Sequence, residues 1–199
     1  MNAPCVVILA GGLSRRMGGA DKALQTLAGR PLIGHVMDRI APQAGQIAVN
    51  VNRADPAYEA LGVDLLADVV EDHPGPLAGI LTAMRWASTD DFVITVPADA
   101  PFLPGDLIPR LMLASGDPTT TPAIAASAGR DHPVCGLWPT ALAADLALAI
   151  EQGSRKVTDW TSAVGAHRAE FPATTPDGFS NVNTPDDLAR AQAYLDNTA

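Results

Sequence analysis

The apolar run Cys5-Val6-Val7-Ile8-Leu9 is followed at once by Ala10-Gly11-Gly12-Leu13-Ser14-Arg15-Arg16-Met17-Gly18-Gly19-Ala20-Asp21-Lys22, in which four glycines and three cations stand together. The Val- and Ile-rich run reads as a buried strand, so the glycine-rich segment leaves that strand at its carboxyl end. In open α/β sheets that edge binds ligands. Glycine lets backbone N–H groups come close to anionic oxygens and take positive φ, while Arg15, Arg16 and Lys22 supply the charge that a triphosphate needs neutralised. A polyphosphate cradle is therefore expected here in preference to a solvated turn. Spacing excludes two familiar versions of it. No Gly-x-x-x-x-Gly-Lys-Ser/Thr is present, because Lys22 stands between Asp21 and Ala23, and no Gly-x-Gly-x-x-Gly is spelled.

The 199 residues, 47% of them hydrophobic, suffice for a sizeable core and fit one domain spanning 1–199. A formal net charge of −9 speaks against nucleic acid or an anionic membrane as partner, so a small-molecule partner and a monomer are expected. No apolar run approaches the roughly 18 residues needed to span a bilayer, and the amino terminus lacks a secretory pattern. A cytoplasmic protein is the expectation. The two cysteines, Cys5 and Cys135, form no Cys-x-x-Cys pair. Cys5 reads as a core residue, and His132 with Cys135 lacks a second pair to complete a metal site.

After the loop, strand and helix patterns alternate. Leu32, Val36 and Ile40 mark a helix opened by Pro31, and Gln46 to Asn52 and Val63 to Ala67 read as strands around a short helical piece at Ala57 to Leu61. This alternation predicts an α/β fold with a mainly parallel central sheet flanked by helices. Asn50 and Asp68 end successive strands, where they either contact a nucleotide or serve as ordinary turn residues. Gly75-Pro76 opens a helix with Leu77, Ile80, Leu81 and Met84 on one face.

Phe92-Val93-Ile94-Thr95-Val96 is the clearest internal strand, and it delivers Asp99 to the same sheet edge within Pro97-Ala98-Asp99-Ala100-Pro101. A carboxylate there suits Mg²⁺, which takes one or two protein carboxylates and completes its shell with phosphate and water. Leu107, Ile108, Leu111 and Met112 stripe the next helix. Ala123 to Ala126 and Pro133 to Trp138 read as strands separated by Gly129-Arg130-Asp131-His132, a solvated connection or one that faces substrate. Leu142, Leu146 and Ile150 form a helix ending near Gly153. Ser154 is then placed to cap a helix whose first turn carries Arg155 and Lys156, an arrangement that either attends a bound anion or is a solvated basic turn. Thr184, Pro185, Asp186 and Asp187 spell a helix start, with Asn181 and Asn183 outside it and their amides available.

Assembled, these blocks resemble the molybdenum cofactor guanylyltransferases along nearly the whole chain. The resemblance is carried by Leu9 to Gly12 through Arg15-Arg16-Met17-Gly18-Gly19 to Asp21-Lys22, by Gly75-Pro76-Leu77-Ala78-Gly79, and by Pro97 to Pro101. It continues in His132-Pro133-Val134, Arg155-Lys156-Val157 and Asn181-Val182-Asn183-Thr184-Pro185. The first block alone is shared by many nucleotidyltransferases. The resemblance implies a Rossmann-like nucleotidyltransferase that moves GMP from GTP to the phosphate of molybdopterin already carrying molybdenum, releasing pyrophosphate. It assigns GTP to Leu9, Ala10, Gly11, Lys22, Asn50, Asp68 and Asp99, with Mg²⁺ on Asp99. The amino-terminal half would hold Mg²⁺ and GTP and the carboxyl-terminal half molybdopterin, with Arg155, Lys156, Asn181 and Asn183 in the latter region. Catalysis would fall to Arg15, Arg16, Lys22 and Asp99, and cofactor-delivery proteins or molybdoenzymes would take the product. The alternatives are a cytidylyltransferase on the same cofactor, a nucleotidyltransferase for another phosphorylated acceptor, and a non-catalytic nucleotide-binding regulator.

Overall fold

The computed structural model describes residues 3–11, 21–53, 55–70 and 75–198. Arg15 and Arg16 lie outside the described residues. Strand β1 (Cys5–Leu9) buries Val6, Val7 and Ile8 completely, as a run of β-branched residues covered on both faces must. A two-stranded ribbon follows, β2 (Thr26–Leu27) and β3 (Arg30–Pro31), turned by Ala28 and Gly29 at φ 47° and 78°. Helix α1 (Leu32–Ile40) then starts one residue after Pro31, which sits at its cap.

The next elements are β4 (Gln46–Asn50), α2 (Pro56–Glu59), β5 (Asp64–Leu66), α3 (Pro76–Trp86) and β6 (Phe92–Pro97). The order β5-β4-β1-β6 is parallel throughout, as the alternation predicts. Its register aligns the strand ends: Leu9 stands beside both Asn50 and Pro97, and Asn50 beside Leu66. Three backbone bonds extend this alignment past the strands, from Ala10 N–H to the Asn50 carbonyl, Val51 N–H to Leu66 and Ala98 N–H to Leu9.

Beyond β6 come α4 (Leu107–Ser115), β7 (Ala123–Ser127), β8 (Arg130–Pro139), α5 (Ala143–Glu151), α6 (Val157–Ala163), β9 (His167–Phe171) and α7 (Pro185–Thr198). The sheet continues β6-β8-β7-β9, with β8 antiparallel to both of its neighbours and β7 parallel to β9. Residues 130–132, read from the sequence as part of a connection, belong to β8. The hairpin turns on Ala128 and Gly129 alone, both at positive φ, as a two-residue turn requires. The ladder slips at the Pro133 segment, where His132 pairs with Ala125 while Gly136 pairs with Ile124. Proline has no N–H to give a ladder, and Gly136 leaves room for the Trp138 indole, which a Cβ would meet at 2.3 Å.

Alternation along the strands sends Val6 and Ile8 to a core with Ile33, Val36 and Ile40 of α1 and Leu107 and Leu111 of α4. Val7 goes to the opposite core with Ile80, Leu81 and Met84 of α3, Leu146 and Ile150 of α5, and Trp160 of α6. The result is an α/β sandwich with helices on both sheet faces. A third cluster, Leu27, Leu32, Val182 and Ala191, seats α7 against the β2–β3 ribbon. No helix among the described residues is long and apolar enough to cross a membrane.

Candidate active site

Two cavities open along the carboxyl edge of the parallel strands. The smaller, about 360 Å³, is lined by Leu9, Ala10, Gly11, Asp21, Lys22, Asn50, Asp68, Gly75, Gly79 and Asp99, among others. These include every described residue that the resemblance assigns to GTP. The larger, about 670 Å³, is lined by Phe102, Arg130, His132, Asp177, Phe179, Asn181, Asn183, Asp187, Arg190 and Tyr194 together with their neighbours. Pro97, Val134 and Asn181 line both cavities, so the two adjoin.

Lys22 stands at the junction. It follows Asp21, whose carboxylate accepts from Ala23 N–H and caps a single 3-10 turn, Lys22–Leu24. Its ammonium is ion-paired with Asp99 and also donates to Oδ1 of Asn183. Lys22 and Asp99 side chains are each 17% exposed, which places the pair out of bulk water yet reachable from the cavities. Asp99 is held at the end of β6 by two backbone bonds. Ala98 N–H donates to Leu9, and the Asp99 carbonyl accepts from Val182 N–H at 2.9 Å, which docks the carboxyl-terminal segment between Asn181 and Asn183.

Asn50, 2% exposed, donates through Nδ2 to the Leu66 carbonyl and to Oδ1 of Asp68 at 2.8 Å. Gly79 on α3 packs against its other end, where a Cβ would come 2.7 Å from Asn50 Oδ1. The absence of a side chain at Gly79 is thus what lets α3 approach the sheet edge.

In the larger cavity the His132 imidazole stacks on Phe179, with ring centroids 4.5 Å apart and planes 14° from parallel. Its Nε2 shares a 2.8 Å hydrogen bond with the Ser127 hydroxyl. Burial holds the imidazole below its ordinary pKa and favours the neutral ring. The Cys135 thiol is buried, and that burial pushes it up, with the Asp99 charge acting in the same direction. Both effects favour the neutral thiol over the thiolate.

At the start of α7 the Asp187 carboxylate accepts from the Thr184 hydroxyl and from the N–H groups of Asn183 and Thr184, while Asp187 N–H donates to the Thr184 hydroxyl. The Thr184 bond, followed by the Asn183 N–H, holds its pKa down to about 2. This reciprocal cap fixes the backbone from which Asn183 reaches Lys22.

Arg155 and Lys156 line neither cavity. Ser154 does not cap a helix: α6 starts at Val157 with Lys156 at its cap, so the two cations precede the first turn. The Arg155 guanidinium donates instead to the carbonyls of Ser154 and of Ile150 in the last turn of α5, where the helix dipole favours a cation. Among the residues the sequence reading missed are Phe102, Asp177, Phe179, Arg190 and Tyr194 of the larger cavity, and Asn52, which touches Asp68 from outside the smaller one. Asn52 had a signal, since Asn50 and Asn52 stand two apart in a β-type run and so face the same side.

A family model described as the MobA-like NTP transferase domain matches residues 6–167. A molybdenum cofactor guanylyltransferase from Cereibacter sphaeroides is 47% identical over 193 residues, covering 95% of each chain. The chain belongs to the molybdenum cofactor guanylyltransferase family. A second member, from Rhodopseudomonas palustris strain BisB5, is 45% identical over 94% of this chain and 91% of its own. The crystal structure of molybdopterin-guanine dinucleotide biosynthesis protein A from Archaeoglobus fulgidus superposes with a TM-score of 0.75 at 24% identity, covering 97% of this chain and 99% of that one. At 19% identity the 2-C-methyl-D-erythritol 4-phosphate cytidylyltransferase from Thermus thermophilus still reaches 0.70 over 98% of this chain and its whole length. The nucleotidyltransferase fold is common to all of them.

Proposed function

We propose that this guanylyltransferase-family chain transfers GMP from Mg²⁺-GTP to the phosphate of molybdopterin in the cytoplasm, giving the guanine dinucleotide and pyrophosphate. The observation that carries this reading is the Lys22 ammonium held between Asp99 of the smaller cavity and Asn183 of the larger. A nucleotidyl group that passes from one anion to another is helped by fixed positive charge between them, and Lys22 supplies it where the cavities adjoin.

In this reading GTP lies in the smaller cavity, with Leu9, Ala10 and Gly11 against its phosphates or ribose and Asn50 and Asp68 at its base. Molybdopterin lies in the larger cavity beside Asn181 and Asn183. The donor set fits a shared magnesium ion. No group of three or more His, Cys, Asp or Glu side chains among the described residues could hold a metal alone. Asp99 supplies one hard oxygen at the cavity wall and would hold Mg²⁺ together with the nucleotide's phosphates, where the ion would offset charge on the triphosphate.

The attacking phosphate is already an anion, so the site has no need of a strong base. Lys22 pairs with Asp99 in the free chain. When a triphosphate enters, the same ammonium is placed to donate to its oxygens, leaving the carboxylate for the metal. Arg15 and Arg16 add charge for the departing pyrophosphate. Acceleration then comes from alignment of the two anions and from fixed positive charge. Arg155 and Lys156 line neither cavity, so this reading gives them no direct contact with either substrate.

The test is pyrophosphate release from Mg²⁺-GTP with and without molybdopterin, beside CTP and ATP. Release that requires both GTP and molybdopterin is expected. Release with CTP alone would make the protein a cytidylyltransferase, and GTP binding without release would make it a binding module.

A further inference from the structure

Asn52 stands two residues beyond the end of β4 and holds Asp68 at both its backbone and its side chain. Its Nδ2 donates to Asp68 Oδ2 at 2.6 Å, and its Oδ1 accepts from Asp68 N–H at 2.7 Å. Asn50 grips the other carboxylate oxygen. These partners decide which end of each amide is which. The Asn50 nitrogen faces two acceptors and must be the donor, and the Asn52 oxygen faces a backbone donor and must be the acceptor. Asn50 is therefore turned so that its carbonyl oxygen lies toward Gly11 and Gly79, whose added Cβ atoms would come within 3.3 and 2.7 Å of it.

The wall formed by Asn50 and Asp68 in the smaller cavity thus presents acceptors only. Each Asp68 oxygen keeps lone pairs after its amide partner is served. Among nucleobases only guanine carries two adjacent donors, N1–H and the 2-amino group, on one edge. Cytosine and adenine set a lone-pair nitrogen beside their amino group, and uracil flanks one N–H with two carbonyls. A lone pair against a carboxylate is repelled, and a site built for hydrogen bonds rejects a base that cannot make them.

We propose that Asn52 is a positioning residue for base selection, which holds Asp68 beside the Asn50 carbonyl as an acceptor-only edge that takes the paired donors of guanine and refuses cytosine and adenine. Asn52 is exposed and does not line the cavity, so it acts through Asp68. The inference rests on the guanylyl-transfer reading for where the nucleotide lies.

Equilibrium titration of the full chain with Mg²⁺-GTP, Mg²⁺-ITP and Mg²⁺-CTP, without acceptor, tests it. ITP lacks the 2-amino group and keeps N1–H. The native chain is expected to prefer GTP over ITP by about tenfold, the worth of one hydrogen bond to a carboxylate, and over CTP by more. Asn52→Leu, which removes both contacts at similar size, should cut both preferences at least about fivefold while CTP affinity and the thermal midpoint stay near native. Asn52→Asp, which sets a second carboxylate against Asp68, should do the same and covers the case of a misfolded leucine variant. Unchanged preferences in both variants would overturn the role of Asn52 alone. A uniform loss of affinity for all three nucleotides would reduce it to scaffolding. A native chain with no preference for GTP would overturn the guanylyl reading as well.

Discussion

Asp99 and Lys22 form an ion pair that a merely structural role would place deeper or leave more exposed. Each is one-sixth exposed, faces a cavity and has a second function available, since the carboxylate can meet a cation and the ammonium a phosphate. Asp99→Asn keeps the shape and one acceptor while removing the charge. Turnover measured by pyrophosphate release should fall by about 10²-fold or more, with the thermal midpoint moved by only a few degrees. Native-like turnover would remove Asp99 from the chemistry. Gly79 makes a second residue-scale claim. Gly79→Ala drives a Cβ against Asn50 Oδ1 and to 3.2 Å from Leu9 Cδ2, so overpacking should cost about 1–3 kcal/mol in denaturant unfolding and weaken GTP binding as Asn50 is displaced.

The start of α7 carries a testable electrostatic cap. Thr184→Ala should lower stability by about 1 kcal/mol at neutral pH. With Asp187 held near 2 in the folded chain against an ordinary 3.8, its contribution is complete above pH 3.8 and disappears as pH falls through about 2. The gap between native and variant stabilities should therefore close over that window in acid titrations of unfolding, and a constant gap would contradict the cap. This helix start was legible, because Thr-Pro-Asp-Asp writes a cap, a first-turn proline and acids in the order the helix end requires. The strand β9 was not legible. His167, Arg168 and Glu170 are polar, and only Ala169 and Phe171 alternate inward. The β2–β3 ribbon was too short for any periodicity. The misplaced cap at Ser154 has a simple cause: a serine before two cations looks like a helix start, but the Arg155 guanidinium turns back to the carbonyls of Ile150, in the last turn of α5, and Ser154.

At the scale of the molecule, the parallel half of the sheet followed from strand and helix alternation, and its register brings Leu9, Asn50, Asp68 and Asp99 to one edge. That part of the candidate site was readable because each residue sits at or just past the end of its own strand. The carboxyl-terminal contribution was readable only as motif. Asn183 reaches Lys22 across 161 positions, through the docking of Val182 on the Asp99 turn and of α7 on the ribbon, and no local pattern encodes that distance. In the proposed reading a phosphorus atom changes partner where the two cavities adjoin, beside the Lys22 ammonium that bonds Asp99 of one and Asn183 of the other. Label transfer from GTP to molybdopterin tests this most directly, with the phosphorus labelled at the α position in one reaction and at the γ position in another. The account predicts that α label appears in the pterin product and γ label only in pyrophosphate. Label from the γ position in the pterin, or none from either, would contradict it.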